Sequence, residues 1–299
     1  MIDGALLLDK PVGPTSNAVL QRAKRLLGAV KAGHAGTLDP LASGLLIVLF
    51  GEATKFAGPA LEADKEYLAS VKLGVRTSTG DAEGEVLATE LAMVEEPELR
   101  ETLGQFLGEI QQVPPMHSAL KRDGVPLYQH ARRGETVERL PRRVLISRLE
   151  LIRYAVPLVE LRVRCSKGTY VRTLAEDIGA KLGCGAHLAG LRRTAAGAFR
   201  VEQAHTLDAL QEMTTAARQR ALLPLAALLA DLPRAELDAT AADRLRQGQV
   251  LKMDGLGPGL HGVFGPGGEV IGLGRAESGG VLKALRLTQA AEKQVKSRA

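Results

Sequence analysis

Apolar residues along the chain fall into runs that specify different elements. At 4–9 (GALLLD) and 44–50 (GLLIVLF) they are almost unbroken, which predicts short strands buried on both faces. The first run stops at Lys10-Pro11-Val12-Gly13-Pro14. Thr15 or Ser16 can then cap a helix through Leu27, with Val19, Ala23, Leu26 and Leu27 on one face and Gly28 just past its end. At 67–73 (YLASVKL) the residues alternate as in a third strand, leading into a polar, Gly-containing loop at 74–84. Alternation is sharpest at 157–165, where Val159, Leu161, Val163 and Cys165 point one way and Glu160, Arg162 and Arg164 the other. A partner strand is predicted at 149–154. Helical spacing returns at 170–182, with Val171, Leu174, Ala175, Ile178 and Leu182 on one stripe before Gly183.

Further helices are predicted at 97–107 and 207–229, the second ending near Asp231-Leu232-Pro233. The segment 113–143 fits neither period. Its prolines at 114, 115, 126 and 141 stand among bases and small residues, so it reads as an irregular excursion with a short helix near 128–133. Beyond 231 the composition changes. Eleven glycines between 255 and 280 separate short apolar runs, the pattern of a small β-barrel. A domain boundary is placed near 231, and the basic tail after Ala291 is expected to be disordered.

Composition narrows the class. With 299 residues, 45% apolar and 24% charged, the chain is expected to be globular and to form two domains rather than one. Its longest apolar stretch, 45–50, is too short to span a bilayer. The N-terminus MIDGALLLDKP lacks a basic start and a small-residue cleavage site, so a cytoplasmic location is expected. Two cysteines, Cys165 and Cys184, cannot build a disulfide framework and read as reduced thiols. The net charge of +5 is unevenly spread: residues 121–172 hold thirteen Lys/Arg against five Asp/Glu, whereas 81–101 hold eight acids and one base. Such asymmetry is expected of a chain that binds a polyanion on one face, although two solvated surfaces would give the same counts.

Three stretches carry candidate chemistry. The richest is GHAGTLDPLASG at 33–44, a Gly-punctuated loop with His34 and Asp39 ahead of a buried strand. No Gly-Lys-Ser/Thr follows, which argues against a phosphate loop, and two ligands are too few for a metal site. That leaves Asp39 either as a carboxylate presented for nucleophilic or acid–base work or as a turn-forming residue. The second is CSKGTYVRTL at 165–174, where Tyr170 and Arg172 stand at a helix start. An arginine there opposes the helix dipole unless a carboxylate partners it, and a pairing with Asp39 would hold that carboxylate ionised. The third is Asp64-Lys65-Glu66-Tyr67. With four Tyr in the whole chain, Tyr67 and Tyr170 beside bases suggest platforms for a nucleobase or sugar.

Lys10-Pro11-Val12-Gly13-Pro14-Thr15-Ser16, GHAGTLDPLASG, Asp64-Lys65-Glu66-Tyr67, PPMHSALKRDG (114–124), KGTYVRTL and GAHLAGLRRT (185–194) occur in the order and spacing of the TruB family, which the chain resembles from about residue 4 to 195 and more weakly to its end. The family comprises bacterial tRNA pseudouridine synthases acting on uridine 55 of the T loop. The resemblance implies an α+β fold: a catalytic domain over 1–230, with a mixed sheet, flanking helices and a thumb at 113–143, and a PUA-like barrel over 231–299. It implies an isomerase that uses no cofactor and no metal, binds the tRNA T stem-loop and acts as a monomer away from membranes.

Carried over by motif, Asp39 matches the catalytic aspartate and Arg172 the arginine that pairs with it. Tyr67 matches the tyrosine that stacks on the target base and is a candidate to help remove its C5 proton. His34 matches the histidine that fills the space left by the flipped nucleotide, and Tyr170 and Leu191 match residues lining the uridine pocket. Lys10 is counted among the substrate-binding residues. Lys121, Arg132, Arg133, Arg142, Arg143 and Arg193 are the candidates for RNA phosphates. His117 stands where an aromatic residue is common. Of the acidic stretch 81–101, only Asp81 is expected to border the site.

Overall fold

The computed structural model describes residues 2–118, 120–122 and 124–288; the tail after Ala291, expected to be disordered, lies outside them. The unbroken apolar runs form the adjacent strands Gly4–Lys10 and Ala42–Phe50. Each buries both faces, as predicted. Leu6, Leu8, Leu46, Val48 and Phe50 pack with Val19, Leu20, Ala23 and Leu27 of the helix Ser16–Leu27. Ala5, Leu7, Leu45, Ile47 and Leu49 pack on the other side with Phe56, Leu228, Leu229 and Phe264. The helix begins and ends where the sequence says. Thr15 accepts from Ala18 N, and Gly28 takes a left-handed φ of 63°.

These strands open a mixed sheet. Its order continues through Ala186–Ala196, Lys65–Leu73, Leu158–Cys165, Arg142–Ala155 and Gly108–Gln112. Neighbours are antiparallel except Ala186–Ala196 beside Ala42–Phe50, which runs parallel from Leu191↔Ala42 to Arg193↔Gly44. The alternating set Val159, Leu161, Val163 and Cys165 faces a second core with Leu99, Leu103, Val171, Leu174 and Ile178 from the helices Glu96–Gly104 and Val171–Lys181. An α+β fold with a mixed sheet and flanking helices is therefore what the chain forms.

Several elements depart from the sequence reading. Ala186–Ala196 escaped it because bulges at Leu188/Gly190 and Arg193/Ala195 break the two-residue period. The predicted strand at 149–154 is the end of a longer one, Arg142–Ala155, whose first half pairs with the unforeseen Gly108–Gln112. The predicted helix at 207–229 is three pieces, Leu207–Glu212, Thr215–Arg220 and the 3-10 turn Leu225–Leu229. Thr206 and Thr214 each cap a fresh helix start, Met213 between them is extended, and Pro224 offers no N–H to continue the ladder.

The Gly-rich C-terminal region forms a sheet ordered Arg234–Glu236, Gly259–Phe264, Val270–Glu277, Val281–Leu287, Leu251–Lys252, which curls into a half-barrel. The unforeseen helix Ala239–Arg246, capped by Asp238, closes its core through Ala242 and Leu245. Among the described residues no helix is long and apolar enough to cross a membrane.

Gly44 pairs with Arg193 where the parallel strands run side by side. Its φ is +98°, and a Cβ there would stand 2.3 Å from Arg193 O. We expect Gly44→Ala to destabilise the fold by at least about 3 kcal/mol in denaturant titration, from backbone strain and overpacking together.

Candidate active site

Asp39 lies on the connection 36–41 between the antiparallel strands Ala32–Ala35 and Ala42–Phe50. That connection is held by its main chain at Gly36, Leu38, Asp39 and Pro40. Ser16 Oγ donates to Leu38 O and accepts from Leu38 N, both at 2.8 Å. Gly13 N donates to Pro40 O at 2.9 Å, and Ala42 N to Asp39 O at 3.0 Å. Lys10 Nζ donates to Ala42 O at 2.6 Å and to Pro11 O at 2.9 Å. From the far side, Arg193 donates through Nε to Leu45 O at 2.7 Å and through Nη2 to Gly36 O at 3.1 Å. The segment 10–16 is thus a bracket that leaves the Asp39 side chain little freedom of approach.

The carboxylate emerges half-exposed, and Arg172 meets it from beneath. Nη2 of Arg172 is 3.0 Å from Asp39 Oδ2 and donates to His117 O at 2.7 Å. Nη1 lies 3.4 Å from Asp81 Oδ2 and donates to Thr79 O at 3.4 Å. The Arg172 side chain is 9% exposed and that of Asp81 4%, against 49% for Asp39. Asp81 is itself fixed, its Oδ1 accepting from Thr79 Oγ1 at 2.5 Å and Glu83 N at 3.1 Å. A buried guanidinium held by one buried carboxylate and two carbonyls therefore presents its remaining charge to one exposed carboxylate.

Asp39 and Arg172 open onto a cavity of about 480 Å³ whose wall includes Tyr67, Tyr170, Leu191 and Lys65, a size suited to one small ligand. Burial raises the Tyr67 phenol above its ordinary value, with the nearby Arg193 opposing. Tyr67 is thus a neutral ring at physiological pH, fit for stacking. Burial, and then Arg193, lower Lys65 from 10.5 to about 8, while its ammonium rests on Leu61 O and Ala63 O at 2.6 and 2.5 Å.

Residues 24–171 match the TruB family pseudouridylate synthase N-terminal domain. Residues 172–233 match the tRNA pseudouridylate synthase B C-terminal domain, and 233–288 the pseudouridine synthase II TruB C-terminal domain. The tRNA pseudouridine synthase B of Burkholderia mallei (strain NCTC 10247) is 56% identical over 293 residues, 96% of this chain and 97% of that protein. The chain belongs to the TruB family.

The Thiobacillus denitrificans tRNA pseudouridine synthase B is 55% identical over 93% of each chain. Among solved structures, the chain is similar to one in a Cbf5-Nop10-Gar1 complex, with a TM-score of 0.76 and 28% identity over 96% of this chain and 85% of the other. It is also similar to one in an H/ACA RNP bound to a substrate RNA containing 2'-deoxyuridine, with a TM-score of 0.73 and 27% identity over 95% and 84%. This TruB-family protein is an isomerase that makes pseudouridine in tRNA.

The TruB motifs converge unequally on the cavity. Asp39, Tyr67, Tyr170, Arg172 and Leu191 line it, and Asp81 backs it. Lys121, Arg132, Arg133, Arg142 and Arg143 are exposed, with Arg132 over the Tyr128 ring at 5.4 Å. Two expectations are corrected. Lys10 is fully buried and Arg193 is 2% exposed; Lys10 donates to backbone carbonyls beside Asp39, and Arg193, at the inner wall of the cavity, donates to Leu45 O and Gly36 O and meets the Tyr67 side chain, so neither stands on the surface where RNA phosphates would lie. His34 stands outside the cavity wall on the strand Ala32–Ala35, opposite Val48. Burial, helped by Arg193, lowers its pKa. Sequence reasoning missed the bracketing roles of Gly13 and Ser16, since a hydroxyl bonding a main chain 22 residues away leaves no local period.

In this TruB-family synthase, Asp81→Asn removes the buried counter-charge of Arg172. It is expected to slow single-turnover conversion by about 10–100-fold, the worth of one charged hydrogen bond, with tRNA affinity nearly unchanged in filter binding. For Lys65, the unfolded chain holds the proton up to 10.5 while the folded one releases it at about 8, so the contribution of Lys65 to stability rises with pH across that window, by about 3 kcal/mol in full. The stability difference between wild type and Lys65→Met should therefore move in favour of wild type between pH 8 and 10.5.

Proposed function

We propose that the protein isomerises uridine 55 in the T loop of tRNA, with Asp39 as the reacting carboxylate. The observation that carries this reading is the 3.0 Å pairing of half-exposed Asp39 with buried Arg172 at the mouth of a cavity walled by Tyr67. A base inside a folded loop must leave its stack to enter such a cavity, at a cost of about a few kcal/mol. Stacking on Tyr67, worth about 1–3 kcal/mol, offsets much of that.

Arg172 holds Asp39 in place through their 3.0 Å pairing. The carboxylate then attacks the ribose or the uracil ring, or takes the C2′ proton to leave a glycal; a single carboxylate serves any of these. The N1–C1′ bond breaks, the base turns and C5 bonds to C1′ as Asp39 is released from its adduct or returns the C2′ proton; the C5 proton passes to solvent and N1 takes one up. Tyr170 and Leu191 confine the detached uracil meanwhile. Lys121, Arg132, Arg133, Arg142 and Arg143 take phosphates of the T arm, and the C-terminal half-barrel, within the proposed unit 231–299, adds an RNA-binding surface.

Position is tested by mapping pseudouridine in tRNA transcripts treated with the enzyme. The reading expects modification at uridine 55 and none in a transcript with cytidine there; modification elsewhere would replace the target but keep the chemistry. Neutralising the five exposed bases is expected to raise KM. It should also flatten the salt dependence of binding by about 0.7–0.9 in log–log slope for each phosphate no longer neutralised. An unchanged slope would remove these bases from the RNA interface.

A further inference from the structure

Gln112 ends the strand Gly108–Gln112 and is 2% exposed, yet it does not line the cavity. Its side-chain amide meets the main chain of Tyr170 edge to edge. Oε1 accepts from Tyr170 N at 3.0 Å, and Nε2 donates to Tyr170 O at 3.3 Å. Tyr170 presents one donor and one acceptor to that amide, so the two bonds themselves decide which end is oxygen. Gln112 thus supplies from a side chain the two-bond exchange that antiparallel strands make with their backbones.

Tyr170 is the N-cap of the helix Val171–Lys181, and its own side chain makes no capping bond. Arg172 stands two residues further along the same chain. The start of the helix that aims the guanidinium at Asp39 is therefore located by Gln112, which is anchored in the sheet by pairing with Arg142. The segment 113–141 leaves and rejoins the sheet at this same pair, and within it His117 O accepts from Arg172 Nη2.

We propose that Gln112 is a positioning residue for pseudouridine formation: its amide pins the Tyr170 main chain so that Arg172 reaches Asp39 in register. The proposal rests on the roles given above to Asp39 and Arg172. No ordinary substitute keeps both bonds at neutral pH. Ala keeps neither. Glu is isosteric, but only its protonated form can donate to Tyr170 O while accepting from Tyr170 N; once ionised, it sets a negative charge against that carbonyl.

The test is single-turnover pseudouridine formation on full-length tRNA, with affinity and melting temperature measured in parallel, for wild type, Gln112→Ala, Gln112→Glu and Asp39→Asn. Gln112→Ala is expected to lose about 10–100-fold in rate, the scale of a misplaced reacting group, while tRNA affinity stays within about threefold of wild type. Gln112→Glu is expected to approach the wild-type rate at about pH 5.5 and to fall at least about tenfold below it by pH 8.5, as burial raises the titration of the introduced carboxyl. The charged groups facing Tyr170 are Arg142, Arg172 and Asp39. The two arginines would lower the pH of this transition without reversing its direction. A Gln112→Glu to wild-type rate ratio that does not vary with pH, or a Gln112→Ala defect confined to affinity or melting temperature, would overturn the proposal. Undiminished turnover by Asp39→Asn would instead overturn the roles on which it rests, on the same substrate and in a separate variant.

Discussion

The site depends on one buried cation. Arg172 is almost wholly removed from water, and an unpaired guanidinium at that depth would be costly. Its charge is met by Asp81, by the carbonyls of Thr79 and His117, and by Asp39. Asp81 is buried, whereas Asp39 is the carboxylate that solvent can reach. The arginine thus makes the Asp39 carboxylate the exposed end of an otherwise interior network. Because its partners come from separate loops, the network also ties 36–41, 74–84 and 113–141 to one helix start.

The surrounding fold serves that arrangement through its main chain. Lys10, Gly13, Ser16 and Arg193 all bond backbone atoms around Asp39. Two of them are cations whose burial would be unfavourable without those carbonyls. The close parallel approach of Gly44 to Arg193 brings the Arg193 side chain beneath the loop. Chemistry is therefore divided between residues that face the cavity and residues that fix what faces it.

Much of this was legible in the sequence. The doubly buried strands, the capped helix Ser16–Leu27 and the alternation ending at Cys165 follow from apolar spacing alone, and the motifs singled out Asp39, Tyr67 and Arg172. What escaped has physical reasons. Bulges in Ala186–Ala196 erase its period, and threonine caps divide an apparent long helix into short ones. Lys10 was counted among the substrate-binding residues and Arg193 among the phosphate contacts, because burial of a cation is not legible in a sequence. Only the folded chain brings the carbonyls that bury them. The Asp39–Arg172 pairing, 133 residues apart in sequence, was suggested by the dipole conflict at the helix start, whereas nothing local signalled Gln112.

The proposed chemistry makes Asp39, paired with Arg172, the group on which turnover depends. It is tested most directly by tritium release from a T-arm stem-loop carrying [5-³H]uridine, with binding of the same RNA measured alongside for wild type and Asp39→Asn. The account predicts release by wild type and none above background by Asp39→Asn, although both bind. Release at an undiminished rate from Asp39→Asn would contradict it.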